Sequence, residues 1–231
     1  MRMIRLMLIP CLFVSAGVSS AEAQVIERLG LRPAEKMGTQ IEARSNRFNI
    51  CSPFEFERRG IVRRVLAAPG GELLAGFDNT VLHGASCHLH IGFNFVGALR
   101  FNADDLRRLV ISEAILRIVA RPTNVLPNVP CDLKIEMATE DWLEGEAARN
   151  ARSLDINTLP LPGGPQVLPL TGSFARHEVN ITPLVQRWAL GTRRNFGLVI
   201  KADRRTILRP SETTCTNFLT PSMSVTVLRR L

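Results

Sequence analysis

Residues 177–200 constrain the fold most strongly, because they carry a strand signal, a helix start and a second strand signal in succession. Polar and apolar residues alternate over 177–181, as they do in a half-buried strand. Thr182 then offers a capping oxygen and Pro183 a preset φ angle, a combination that favours a helix start. Gly191 suits the left-handed position that follows a helix, so the helix should be about two turns long.

The rest of the chain has the pattern of an all-β protein. Short strand-like runs separated by turn residues cover 61–67, 73–82, 87–95 and 97–101, and 222–230 predicts a last strand. Residues 112–120 and 131–138 alternate most clearly between an apolar and a polar face. Residues 102–109 predict a short helix or turn. The core residues predicted from the alternation are Ala114, Leu116, Ile118, Ala120, Leu133, Ile135 and Met137.

Residues 158–172 contain four prolines and three glycines. This composition excludes a helix and a central strand, so we expect a long loop there. The chain as a whole predicts an all-β, antiparallel β-sandwich with one or two short helices.

Residues 1–23 have the features of a cleaved secretory signal. Arg2 and Arg5 precede an apolar run that is too short to span a bilayer, and Ala21 and Ala23 form a small-residue exit. We expect an N-terminal arm or linker at 24–49 and a single β-sandwich domain at 50–231. No later segment is long and apolar enough to predict a transmembrane span, so the expected location is secreted, periplasmic or cell-surface.

Four cysteines remain after the predicted cleavage: Cys51, Cys87, Cys131 and Cys215. An even number of cysteines in an exported chain predicts disulfides, here two. Three pairings are open, and the spacing does not choose among them. Four buried thiols are the alternative.

The chain is basic, with a net charge of +8, and nearly all of its cations beyond residue 23 are arginines. Guanidinium groups suit two-point contacts with carboxylate, phosphate or sulfate, so anionic glycans or cell-envelope polymers are candidate partners. The alternative is that the charge only keeps an exported protein dispersed. The predicted export and the scattered positions of the arginine pairs argue against nucleic acid as the partner. The adjacent pairs are Arg58-Arg59, Arg63-Arg64, Arg107-Arg108, Arg193-Arg194, Arg204-Arg205 and Arg229-Arg230.

Several landmarks occur in an order that resembles the DNRLRE-domain family. They are the strand–helix–strand segment at 177–200, the sequence GALRFN at 97–102 followed by ISEAILRI at 111–118, the sequence WLE at 142–144 and the closing strand. Together they cover residues 87–231. The resemblance implies a jelly-roll sandwich, similar to carbohydrate-binding modules, that is attached to surfaces or polysaccharide, with no shared catalytic residues. It also implies that Trp142 and Trp188 are buried.

The densest group of metal-capable side chains is His83, Cys87, His88 and His90. If 87–90 is a strand, His88 and His90 share a face and can bind one zinc or copper ion, with His83 folding back across Gly84. Cys87 is then on the other face. Solvent-facing histidines without metal are the alternative interpretation.

The second group is acidic and surrounds Trp142. Glu140, Asp141 and Glu144 supply the oxygen ligands that a structural calcium prefers, although their spacing matches no EF-hand. Paired carboxylates also serve in glycoside cleavage. A solvated acidic face, paired with arginines, is the third interpretation.

These features lead to a non-catalytic exported β-sandwich protein that attaches to a cell surface or an anionic polysaccharide. The alternative is a small secreted hydrolase or metal-binding protein that uses the acidic segment or the histidines. A third hypothesis is a structural subunit whose strand edges pair with a larger partner. The pattern leaves the oligomeric state open.

Overall fold

The computed structural model describes residues 24–31, 36–45, 61–67, 71–84, 87–125, 131–142, 156–170, 173–202 and 214–230. The predicted signal at 1–23 lies outside these residues. Within them the chain forms twelve β-strands, one α-helix and one 3₁₀ turn. The elements are β1 (Gln24–Leu31), β2 (Lys36–Ser45), β3 (Ile61–Ala67), β4 (Leu73–Gly84), β5 (Cys87–Arg100), the 3₁₀ turn (Asp104–Leu106), β6 (Val110–Val125), β7 (Cys131–Ala138), β8 (Thr158–Pro160), β9 (Gln166–Leu170), β10 (Ala175–Asn180), α1 (Thr182–Ala189), β11 (Leu198–Ala202) and β12 (Thr214–Arg230).

The strands form one antiparallel sheet in the order β10-β6-β12-β4-β5-β11-β7-β8. Strand β1 adds to β12, β2 joins β5 to β3, and β9 adds to β7. Strands β9 and β10 come from opposite ends of this order, yet they contact each other. The sheet therefore curls around a shared interior, and the all-β, sandwich-like architecture predicted from the sequence is confirmed. The jelly-roll topology stays a prediction.

The alternation in β6 and β7 positions the core as expected. Ala114, Leu116, Ile118 and Ala120 of β6 have no exposed surface, and the apolar residues of β7 are also buried. A smaller apolar cluster lies apart from this core and includes Ala98, Ala138, Trp142 and Val199. Its residues alternate along the strands with residues of the main core, so Trp142 covers the outer face of the sheet.

Helix α1 begins at Thr182 and its apolar side faces the core. Trp188 is only 6% exposed and Trp142 only 5%, so the predicted burial of both indoles is confirmed. The predicted cap is wrong, because the Thr182 hydroxyl accepts a hydrogen bond from the Ala114 N–H of β6 (2.8 Å) instead of from its own helix. The threonine therefore ties α1 to the edge of β6.

Two predicted irregular segments contain strands. The proline-rich stretch 158–172 includes β8 and β9, which both pair with β7. The prediction of a long loop is therefore wrong for this segment. Its prolines are compatible with these strands because, among the described pairs, β8 and β9 have a neighbour on one side only. The arm predicted at 24–49 includes β1 and β2, which pair with β12 and with β5 and β3.

The two runs predicted at 87–95 and 97–101 form a single strand, β5. Gly97 lies within this strand and does not interrupt it. It packs closely against Leu73 of β4, where there is little room for a side chain, and this explains a glycine inside a strand. In the part of the chain that the structure describes, no helix has the length and apolar character needed to cross a bilayer.

Candidate anion-binding cleft

A cleft of about 680 Å³ lies where three segments meet: the end of β5, the 3₁₀ turn and the loop that follows α1. The last residue of β5, Arg100, contributes one wall. The turn contributes Arg107 and Arg108, and the loop contributes Arg193 and Arg194. The fold thus brings together two of the adjacent arginine pairs noted in the sequence, together with a fifth arginine.

The described lining of the cleft carries an excess of positive charge. Among these described residues, five arginines are accompanied by two carboxylates, Asp104 and Asp141, which leaves an excess of three positive charges. Clustered like charges destabilise a folded protein, and a concave surface with one sign of charge concentrates ligands of the opposite sign. The arrangement favours an anionic ligand, which would relieve this repulsion.

Arg100 is held at the back of the cleft. Its side chain is only 21% exposed, and its Nη1 lies 3.4 Å from Asp141 Oδ1. Asp141 also accepts a hydrogen bond from the Trp142 N–H (3.0 Å), which fixes the carboxylate beside the strand end. The Arg100 guanidinium is therefore a recessed positive charge, held beside a more exposed carboxylate.

The turn presents its two arginines differently. Arg107 pairs with Asp104 (2.7 Å), but both side chains are mostly exposed, so the pair contributes little to stability. Arg108 has a φ angle of 66°, an uncommon conformation for a residue with a side chain. The hydrogen bond from the Arg108 N–H to the Ala189 carbonyl (3.1 Å) at the end of α1 holds it there. Strain of this kind tends to occur at functional sites.

The loop after α1 is held by its own hydrogen bonds. The Asn195 side chain donates to the Phe101 carbonyl (2.8 Å) and accepts from the Gly197 N–H (3.1 Å). Gly191 and Gly197 have φ angles of 69° and 98°, in the region that favours glycine. These contacts fix the backbone on both sides of Arg193 and Arg194.

Arg194 also lies over the Phe196 ring, with its guanidinium carbon 5.3 Å from the ring centre. The Phe196 carbonyl in turn accepts a hydrogen bond from Trp142 Nε1 (3.0 Å). The outer-face cluster around Trp142 therefore supports the arginine loop directly. Neither Arg108 nor Arg193 makes an ion pair with a described residue.

The described lining of the cleft is mainly polar. It contains arginine, asparagine and aspartate together with Trp188, alanine, leucine and glycine. Such a lining can recognise anions by charge-assisted hydrogen bonds.

The acids predicted to bind calcium are engaged in other contacts where the structure describes them. Glu140 Oε1 accepts hydrogen bonds from the Asn157 side chain (2.7 Å) and backbone (3.4 Å). Asp141 contacts Arg100 and the Trp142 N–H, and Glu144 lies outside the described residues. Among the side chains that the structure describes, no three metal-capable groups gather in one place.

The predicted histidine group lies on the β4–β5 hairpin. The backbone register places His83 of β4 directly opposite His88 of β5, and Val81 opposite His90. Gly84 faces Cys87 at the pair nearest the turn. The backbone register thus brings His83 back across Gly84 to His88, as the sequence predicts, and the metal site itself stays a prediction.

The four cysteines fall in different parts of the fold. Cys87 begins β5, Cys131 begins β7, and Cys51 lies outside the described residues. Cys215 of β12 is wholly buried, between Phe77 of β4 and Val125 of β6 in the register. The pairing of the cysteines lies outside the described side chains, so the two disulfides stay a prediction.

Two titratable groups outside the cleft, Glu136 and His177, have shifted pKa values with identifiable causes. Partial burial alone would raise the pKa of Glu136 on β7, but its hydrogen bonds with Lys201 (2.6 Å) and Thr158 and the nearby charge of Lys134 hold that pKa below its usual value. On β10, burial lowers the pKa of His177, whose buried Nε2 lacks a hydrogen-bond partner among the described residues.

Comparison with known proteins adds no identification. No family model matches the sequence, and no curated protein is similar to it. The functional argument therefore depends on the geometry of the chain itself.

Proposed function

We propose that the protein is an exported, non-catalytic β-sandwich that attaches to an anionic polymer of the cell surface or to an acidic polysaccharide. The observation that carries this proposal is the convergence of five arginines on one cleft from segments that are distant in sequence. In the proposed complex, sulfate, phosphate or carboxylate groups of the polymer accept hydrogen bonds from these arginines.

The shape of the cleft suits a group on a polymer better than a deeply enclosed small molecule. Arg107 and Asp104 are exposed at its mouth, whereas Arg100 is recessed. A repeating acidic chain would therefore place one group against Arg100 and neighbouring groups against the outer arginines. Planar guanidinium forks favour groups with two oxygens in one plane.

The proposal includes export by the signal at 1–23, the two disulfides and the jelly-roll topology that the DNRLRE resemblance implies. Export and the disulfides agree with each other, because disulfides form and persist in the oxidising surroundings outside the cytoplasm. A small secreted hydrolase has less support, because the oxygens of Glu140 and Asp141 are engaged with Asn157 and Arg100.

A matched pair of double variants tests the electrostatic mechanism. Arg108→Gln/Arg193→Gln removes two cleft arginines that have no ion pair with a described residue. Arg28→Gln/Arg176→Gln removes the same charge from exposed positions on β1 and β10, outside the cleft. Because a hydrogen bond to a charged group contributes about 1.5–3 kcal/mol, the cleft variant should bind sulfated dextran at least about tenfold more weakly than wild type.

The measurement is a binding titration on sulfated dextran, with neutral dextran of equal length as the ligand control. Wild-type binding should weaken strongly as NaCl increases toward 1 M, where the screening length falls to about 3 Å. An equal loss in both double variants would show that net charge alone is responsible and that the cleft is not the site. Retention that is independent of salt would also contradict the proposal.

A further inference from the structure

The β4–β5 hairpin places three of the four histidines of the chain at neighbouring positions. His83 and His88 are direct cross-strand partners, and His90 is two residues further along β5. Residues two apart on a strand share a face, and so do residues directly opposite in an antiparallel pair. The three histidines therefore occupy one face of the hairpin next to its turn.

The spacing suits a single ion. Direct cross-strand partners have Cβ atoms about 4.5–5.5 Å apart, and diagonal neighbours are about 7–8 Å apart. Imidazole nitrogens bind zinc at about 2.0–2.1 Å, and three protein ligands with an open fourth position are an established zinc arrangement. Cys87 and Leu89 occupy the alternate positions of β5, so they belong to the other face.

We propose that His83, His88 and His90 together bind one divalent transition-metal ion, of which Zn²⁺ is the best match for three neutral imidazoles and a water ligand. This site is independent of the arginine cleft. His88 is the second residue and Arg100 the last of the 14-residue strand β5, so the two lie roughly 40 Å apart along an extended strand. Failure of either proposal therefore leaves the other intact.

The fourth histidine provides a matched control. His177 lies on β10, in register with Ile118 of β6, and is the one histidine outside the hairpin. Untagged protein is first stripped with EDTA and dialysed, and Zn²⁺ binding is then measured by competition with a chromophoric chelator. Wild type and His177→Gln should each bind one Zn²⁺ per chain. His88→Asn should lose at least about a hundredfold in affinity, and His83→Asn and His90→Asn should each be weakened.

Two further readouts separate binding from folding. Circular dichroism should show the same β spectrum for all variants, and added Zn²⁺ should raise the melting temperature of wild type and His177→Gln but not of His88→Asn. Affinity should fall below about pH 6, because protonated imidazoles cannot bind the metal. The proposal is overturned if wild type binds no Zn²⁺, if His88→Asn binds as tightly as wild type, or if His177→Gln loses binding equally.

Discussion

Asn195→Ala should disturb both the stability of the protein and the geometry of the arginine cleft. The Asn195 side chain donates to the Phe101 carbonyl (2.8 Å) and accepts from the Gly197 N–H (3.1 Å), and it is half-buried. Removing it leaves two backbone groups without these partners. An unsatisfied buried group costs about 1–3 kcal/mol, and partial access to water places each loss near the lower end. We therefore expect unfolding to become easier by about 2–3 kcal/mol.

The same change should weaken anion binding, because Asn195 anchors the segment that carries Arg193 and Arg194. Urea denaturation followed by tryptophan fluorescence measures the stability change, and the sulfated dextran titration measures the affinity. Asn180→Ala is the control, since the exposed Asn180 side chain lies outside the cleft and accepts one hydrogen bond, from the Thr182 N–H. A stability loss below about 0.5 kcal/mol together with unchanged affinity would refute the reasoning that this amide organises the loop.

Three further variants test other parts of the fold. The pKa of Glu136 is held below its ordinary value of 4.5, so its stabilising effect is present above that pH and is lost as pH falls through the lowered value. Acid denaturation of Glu136→Gln should accordingly show a shallower loss below about pH 4.5, and an unchanged slope would contradict this. Burial lowers the pKa of His177 from 6.5, so below that pH the unfolded chain takes up a proton that the folded chain resists. Wild type should therefore lose more stability than His177→Gln when the pH is lowered from 7.5 to 5.5, and equal losses in chemical denaturation would argue against the burial effect. Gly197→Ala should destabilise by several kcal/mol and lower the melting temperature, because a Cβ at its positive φ would collide with the Leu99 carbonyl; a melting temperature equal to that of wild type would contradict this close approach.

The sequence predicted best the elements whose signals are local. Alternation in β6 and β7 identified their buried faces because one side of each strand packs on the core. The turn residues around α1 located the helix because helix ends depend on neighbouring residues. Thr182 was misassigned as a cap because its actual partner, the Ala114 N–H, is far away in sequence.

The edge strands were missed for a different reason. Proline disfavours central strands but is tolerated in edge strands. Among the described strands, β8 and β9 pair with β7 alone, so the prolines did not exclude strands in this segment. The polar strands β1 and β2 likewise lack the strong apolar pattern of a central strand.

The candidate cleft was only partly predictable. Adjacent arginines are visible in the sequence, but their convergence depends on the turn before β6 and the loop after α1 meeting through the Arg108–Ala189 hydrogen bond. Long-range pairing of this kind follows from the topology of the whole sheet. The His83–His88 register, by contrast, follows from the local hairpin between β4 and β5, where the chain folds back across Gly84 as the sequence predicts.

The prolines of β8 and β9 have a consequence for how copies of the protein behave at high concentration. Pro160 and Pro169 are exposed and have no N–H to offer to an incoming strand. An exposed edge strand without prolines could pair through its backbone with the sheet of a second molecule and start a fibrous aggregate. Pro160 and Pro169 interrupt the backbone hydrogen bonds that such pairing needs, so this edge of the sheet resists self-assembly.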